Sequence, residues 1–143
     1  MIDPYIKNLV GKTIFSNKST VTADFIVIMD ETVEERRLSL IPQLSRVVSQ
    51  NEIHELIFTC EQVAPGSVVN KISYCGFALI KNGGVLLHGD EILINDNYIG
   101  ILAGFDETHY PNHLNIVIQT EQLKSGKQMG LQLYDTISFI FKK

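Results

Sequence analysis

The sequence predicts an all-β chain: a small closed or nearly closed Greek-key barrel of about six to eight strands with one or two short helices, in one domain over residues 1–143. Three observations carry that reading. Short β-branched and aromatic runs recur along the chain, punctuated by Gly, Asn and Asp. They return at intervals of ~8–12 residues, the spacing of sandwiches and barrels. Several are apolar on both faces, as strands are when side chains fill a barrel and a second layer covers part of its outside. At 143 residues the chain is long enough for one hydrophobic core.

Val21 to Met29 reads as the first strand, with Phe25-Ile26-Val27-Ile28-Met29 apolar throughout. A helix is expected near Thr32, where Thr32 and Glu35 have the spacing of a capping box. Pro42 would interrupt it, because proline lacks the amide donor. Leu40, Leu44, Val47 and Val48 then recur at helical spacing and suggest a second short helix. Ile53 to Cys60 reads as a strand, and Val68 to Ile80 as a longer one bent near Gly76. Asn82-Gly83-Gly84 reads as a tight hairpin turn, since both central positions of such a turn need positive φ. Val85 to Leu87 and Glu91 to Ile94 flank His88-Gly89-Asp90, and Asn95-Asp96-Asn97 turns the chain into Tyr98 to Gly104. Leu114 to Thr120 and Thr136 to Phe141 complete the strands.

Composition narrows the function. With 45% hydrophobic residues there is enough apolar material to offset the entropy of ordering the chain, which excludes disorder. A net charge of −4 argues against phosphate-backbone binding, so no nucleic-acid partner is expected. Met1-Ile2-Asp3-Pro4-Tyr5-Ile6-Lys7 has neither the basic nor the apolar part of a secretory leader. The longest apolar stretches, Phe25 to Met29 and Ile99 to Ala103, are strand-length and far below the ~20 residues that cross a bilayer as a helix. No membrane insertion is expected. Cys60 and Cys75 form no C-x-x-C pair, and their apolar settings suggest buried free thiols. These features together point to the cytoplasm.

Gly84-Val85-Leu86-Leu87-His88-Gly89-Asp90-Glu91-Ile92-Leu93-Ile94, followed by Tyr98-Ile99-Gly100-Ile101-Leu102-Ala103-Gly104, resembles the core of the glucitol/sorbitol-specific IIA component of the bacterial sugar phosphotransferase system. The likeness continues through the polar loop Phe105 to Asn112 into Leu114-Asn115-Ile116-Val117-Ile118, and covers roughly residues 68–141. It implies a small β-barrel of cytoplasmic, bacterial type. That family carries its phosphoryl group on a histidine ahead of this core. The matching stretch here, Ser73-Tyr74-Cys75-Gly76-Phe77, has none, so phosphocarrier activity does not carry over. The Gly89-Asp90 turn into a strand also looks like the barrel domain of translation elongation factors, a likeness of fold that licenses no function.

The loop Phe105-Asp106-Glu107-Thr108-His109-Tyr110-Pro111-Asn112 is the most polar stretch among apolar strands, and function concentrates on loops held by rigid scaffolds. Asp106, Glu107, His109, Asn112, His113 and Asn115 are therefore the candidate ligand-binding residues. On a strand, His113, Asn115 and Val117 face one way and Leu114, Ile116 and Ile118 the other, which presents His113 and Asn115 together. His109 and His113 have H-x-x-x-H spacing and, with Asp106, are the metal candidates. Pro111 denies them a helix, and on a strand they would stand ~13 Å apart, so a curled loop alone could bring both to one ion. The competing reading is that the loop's polar groups cap one another, as buried polar groups must.

The remaining candidates read as structural. His88 falls in a turn where Asp90 bonds its own backbone, and one of His54 and Glu55 should face solvent from an alternating strand. Lys124-Ser125-Gly126-Lys127 lacks the upstream glycine and the following Ser or Thr of a phosphate-binding loop, and reads as a hairpin connection. No nucleophile elbow occurs and no cofactor is implied. The leading reading is a non-catalytic ligand-binding or regulatory module for a small polar molecule. A metal-binding protein or enzyme using Asp106, His109 and His113, with His88 or Glu55 as further candidates, is the alternative, and a homo-oligomeric assembly module built on a long edge strand is the third.

Overall fold

The structure, a computed structural model, describes residues 14–142, so the reading of Met1 to Lys7 lies outside it. Eleven strands appear in chain order: β1 (Val21–Val33), β2 (Leu38–Ser39), β3 (Ser45–Val48), β4 (Ile53–Thr59), β5 (Val68–Val69), β6 (Ile72–Asn82), β7 (Gly84–Leu87), β8 (Glu91–Ile94), β9 (Asn97–Asp106), β10 (Asn115–Thr120) and β11 (Thr136–Ile140). Seven of them close into a barrel in the order β1-β11-β8-β9-β10-β4-β6, with β6 returning to β1. Pairs β2-β5 and β3-β7 form two short ribbons. Within the barrel β4 and β10 run parallel, and the other neighbours are antiparallel.

Alternation along each strand builds two cores. Leu56 and Phe58 of β4, Ile116 and Ile118 of β10, and Ile137 and Phe139 of β11 turn inward and pack with Phe25, Leu102 and Phe105 to fill the barrel. The opposite faces of β4, β9 and β10 present Ile57, Ala103 and Val117, which are covered by Leu38, Leu40, Val69 and Ile72. The outer layer is thus the β2-β5 ribbon and its flanks. This explains why the central strands read as apolar on both faces.

No helix occurs among the described residues, and both expected helices are replaced by strand pairing. Around Thr32, β1 continues against β6: Glu31, Thr32 and Val33 pair with Tyr74, Ser73 and Ile72, and the Thr32 and Ser73 hydroxyls share a hydrogen bond of 2.7 Å. The capping-box hydroxyl is spent across a sheet. After Pro42, Ser45–Val48 pairs with β7 instead of coiling. Val48 drops into the barrel core while Val47 is left outward, so a period of two wins over the helical spacing.

The expected hairpin at Asn82-Gly83-Gly84 is also absent. Neither glycine has positive φ, and β6 and β7 do not pair; the chain runs straight on from the barrel to the β3 ribbon. Gly83 is needed for another reason, since a Cβ there would stand 2.7 Å from the Val48 carbonyl oxygen. The tight hairpin turn lies at Asn95-Asp96, both with positive φ, between the paired β8 and β9. Cys60 is exposed and not buried, because β4 ends at Thr59 and leaves it beyond the sheet; Cys75 is buried as expected, and both are free thiols.

Gly76 marks the sharpest packing constraint. Register shifts occur beside it against both β1 and β4, and a methyl group there would collide with the Val27 carbonyl oxygen. Gly76→Ala is therefore expected to destabilise the protein by about 3 kcal/mol, read as a fall in the urea midpoint with unchanged m-value. A variant as stable as the parent would show that β1 can move away from β6 at little cost.

Candidate functional site

The parallel pairing of β4 with β10 places Glu55 opposite Asn115, and the antiparallel pairing of β10 with β9 places Asn115 opposite Asp106. All three side chains are on the outward face and all are buried, as is His54 on the inward face of β4. Both members of the His54-Glu55 pair are thus enclosed, contrary to the expectation that one meets solvent. Asn115 shares its face with Val117, which the outer ribbon covers.

Asp106 is the anchor of the loop that follows it. Its Oδ2 accepts the Ser39 amide at 3.0 Å, and its Oδ1 accepts the Thr108 amide at 2.9 Å and the Asn115 side-chain amide at 3.0 Å. Burial pushes its pKa up, but the hydrogen bonds from Thr108, Asn115 and Ser39 outweigh burial and hold the carboxyl below its usual range. Both oxygens are engaged, so Asp106 shapes the loop and is not presented to a ligand. Asn115 is likewise part of this frame, and its own Oδ1 is buried with no hydrogen-bond partner among the described residues.

From Asp106 the loop curls through a cis Tyr110–Pro111 peptide, and the His109 carbonyl accepts the amides of Asn112 (2.9 Å) and His113 (3.3 Å). The curl carries His109 back over His113, with ring centroids 5.1 Å apart. His113 lies within hydrogen-bond reach of Glu55, Nε2 to Oε1 at 3.3 Å, and its ring meets the edge of Phe77 at a centroid distance of 5.0 Å. The Asn112 side-chain nitrogen is 2.8 Å from His113 Nδ1. Taken together, these contacts place the imidazole proton on Nε2, donated to Glu55, with the Nδ1 lone pair facing Asn112. Next to it, His54 Nδ1 accepts the Leu114 amide at 3.0 Å, and its Nε2 donates to Glu52 at 3.1 Å.

Of the residues the sequence singles out, His109, Asn112 and His113 converge. Asp106 and Asn115 form the buried support beneath them. Glu107 turns away to an ion pair with Arg46, whose guanidinium also lies 4.7 Å from the centroid of the Tyr110 ring. Glu55, a further candidate of the metal or enzyme reading, comes to lie beside His113, whereas Phe77 was not singled out; alternation places Glu55 on one face of β4, but nothing local announces which strand lies beside it. Among the described residues no three His, Cys, Asp or Glu side chains are grouped to hold a metal ion.

The other end of β9 and β10 holds a different feature. There Tyr98, Ile99, Thr120, Glu121, Gln122, Lys124, Gln128 and Met129 line a cleft of about 360 Å³. Its wall is the segment after β10, which joins β10 to β11; these strands do not pair, so Lys124-Ser125-Gly126-Lys127 is not a hairpin connection. The Gly126 and Lys127 amides donate to the Tyr74 and Met29 carbonyls, leaving neither for a phosphate. Ser125 is buried, donates to Asp30 at 2.8 Å, and its amide donates to Gln128 Oε1 at 2.9 Å. The wall is therefore pinned to β1 and β6. The sequence signal available was Ser125 and Gln128 at turn spacing, bonded reciprocally through side chain and backbone.

Asp106→Asn is expected to destabilise the protein by roughly 2–4 kcal/mol at pH 7, because an amide nitrogen cannot accept the buried donors. The folded-state pKa of Asp106 is depressed, so its contribution is present above the unfolded value and is lost as pH falls through the folded one. The gap between variant and parent in urea melts should therefore narrow at the acid end of the titration. A constant gap from pH 7 to pH 3 would show that ionised Asp106 does not hold the loop.

No curated protein and no solved structure matches this chain. The profile of one family, described as a family of unknown function (DUF6917), matches residues 15–140, which takes in every strand of the barrel and both of its ends. The chain belongs to that family.

Proposed function

We propose that this protein is a non-catalytic ligand-binding or regulatory barrel that takes a small polar molecule in the cleft between the Tyr98 end of β9 and the Gln128 wall. The cleft carries the reading. Its size falls in the range of small-molecule sites, ~300–1,000 Å³, and it combines the apolar Ile99 and Met129 with the polar groups of Thr120, Gln122, Lys124 and Gln128. A wall pinned by hydrogen bonds around the buried Ser125 costs little further ordering when a ligand arrives. The polar groups at the opposite end engage one another, which leaves fewer of them for an organic ligand.

The likeness of residues 68–141 to the glucitol-specific IIA component supports a regulatory or binding role in the bacterial cytoplasm, with no phosphocarrier step. Self-association through a long edge strand has less support. Each barrel strand has a neighbour on both sides, the ribbon strands are two to four residues long, and the stretch of β1 beyond its pairing with β11 is met by the 125–135 segment at Phe25 and Met29.

A thermal-shift screen of sugars, sugar phosphates and nucleotides tests the reading. A ligand at about 100 times its Kd adds about 2.7 kcal/mol and raises the melting temperature by several degrees. The shift should vanish in Gln122→Ala/Lys124→Ala, whose side chains are exposed and outside the core. Silence across the screen, or a shift that survives the double substitution, would count against the cleft.

A further inference from the structure

The opposite end of the barrel carries a second, chemically different site. We propose that His109 and His113 form a two-histidine site for a divalent transition metal, with Glu55 as the buried carboxylate that orients His113. This inference stands apart from the cleft and does not depend on it.

Three observations support it. The spacing comes first. Two imidazoles on one tetrahedral zinc, with metal–nitrogen bonds of ~2.0–2.1 Å, hold their ring centroids roughly 5 Å apart. The His109 and His113 centroids are 5.1 Å apart. The curled loop thus brings this H-x-x-x-H pair to a separation that neither a helix denied by Pro111 nor a strand allows, with the ring planes 33° apart.

The second is the protonation pattern of His113. A ligating histidine gives its other ring N–H to a carboxylate, a carbonyl or water, which fixes the tautomer and raises the basicity of the free nitrogen. His113 Nε2 faces Glu55 Oε1 at 3.3 Å, and both side chains are largely enclosed. The unprotonated Nδ1 accepts the exposed Asn112 side-chain amide at 2.8 Å, a surface partner that a metal ion would displace. Turning that amide over would offer Oδ1 as a third ligand, with solvent completing the shell.

The third is availability. Neither ring nitrogen of the exposed His109 has a hydrogen-bond partner among the described residues. The other histidines are differently placed. His54 uses both nitrogens, and His88 Nδ1 is held by the Ala103 carbonyl at 2.8 Å. Asp106, a metal candidate by sequence, is excluded from the ligand set because both its oxygens are engaged by Ser39, Thr108 and Asn115. Imidazole ligation without thiolate or carboxylate favours Zn²⁺, Ni²⁺ and Cu²⁺ over Mg²⁺ and Ca²⁺.

Isothermal titration of the full chain with Zn²⁺ alone tests the site, with Mg²⁺ as the comparison. One equivalent of Zn²⁺ should bind, with no heat from Mg²⁺. Affinity should fall at least tenfold in His109→Ala, which alters an exposed side chain and spares the core, and about tenfold in Glu55→Gln. His88→Ala should leave it unchanged. The ¹⁵N resonance of His113 Nδ1 should shift on zinc addition, a signature that unspecific surface binding would not give. Absence of binding at millimolar Zn²⁺, unaltered affinity in His109→Ala, or an unmoved His113 resonance would overturn the assignment.

Discussion

The parallel pairing of β4 with β10 is the contact on which the His113 end of the barrel depends. Glu55 and Asn115 sit opposite each other in that register, and the entry to β10 is bonded to β4 through Glu55 N–H to Leu114 C=O and Leu114 N–H to His54 Nδ1. A parallel pair cannot be closed by a tight turn, so the chain between these strands must travel around the fold. It does so by building β5 to β9 before returning. Because the return lands in this register, His113 meets a buried carboxylate. A slip of one residue would turn Glu55 or Asn115 to the other face.

Closure of the barrel then decides what is exposed. Each of the seven strands has a strand neighbour on both sides, and where β1 runs past its four-residue pairing with β11 the 125–135 segment bonds its edge at Phe25 and Met29. The outer layer is laid over β4, β9 and β10 by Leu38, Leu40, Val69 and Ile72. It converts Asp106 and Asn115 from surface groups into buried ones, and a buried carboxylate has to be satisfied. The Ser39 amide at its Oδ2 comes from the covering ribbon itself. The packing that makes the loop rigid therefore also takes Asp106 out of ligand chemistry.

The two ends of β9 and β10 differ for the same reason. At the Asp106 end, carboxylates and amides bond to one another and leave exposed the His109 ring and the Asn112 amide. At the Tyr98 end, the hydrogen bonds lie behind the wall, between Ser125 and Asp30 and between the Gly126 and Lys127 amides and the carbonyls of Tyr74 and Met29. Side chains of Gln122, Lys124 and Gln128 remain to line a cleft. One end is self-contained apart from the His109 imidazole and the Asn112 amide, and the other is open.

Alternation and turn chemistry sufficed to read an all-β barrel, the strands around Phe25, Ile57, Ile92, Leu102, Ile116 and Phe139, and the facing of His113 and Asn115, because period-two patterning and left-handed turn residues act over a few positions. Local signals misled where tertiary pairing outbid them: Thr32 and Glu35 match a capping box, yet β6 offers the Thr32 backbone a sheet partner and its hydroxyl a serine. Gly83-Gly84 matches a hairpin turn, yet the close passage of Val48 sets the need for Gly83. The sequence by itself determined the all-β fold class and singled out the polar loop after Phe105 as a candidate. Only the tertiary structure decided that Glu55 backs His113, that His109 curls over it, and that Gln128 and Tyr98 face one cleft, since each contact joins strands or loops whose adjacency is settled by barrel closure and not by neighbours along the chain.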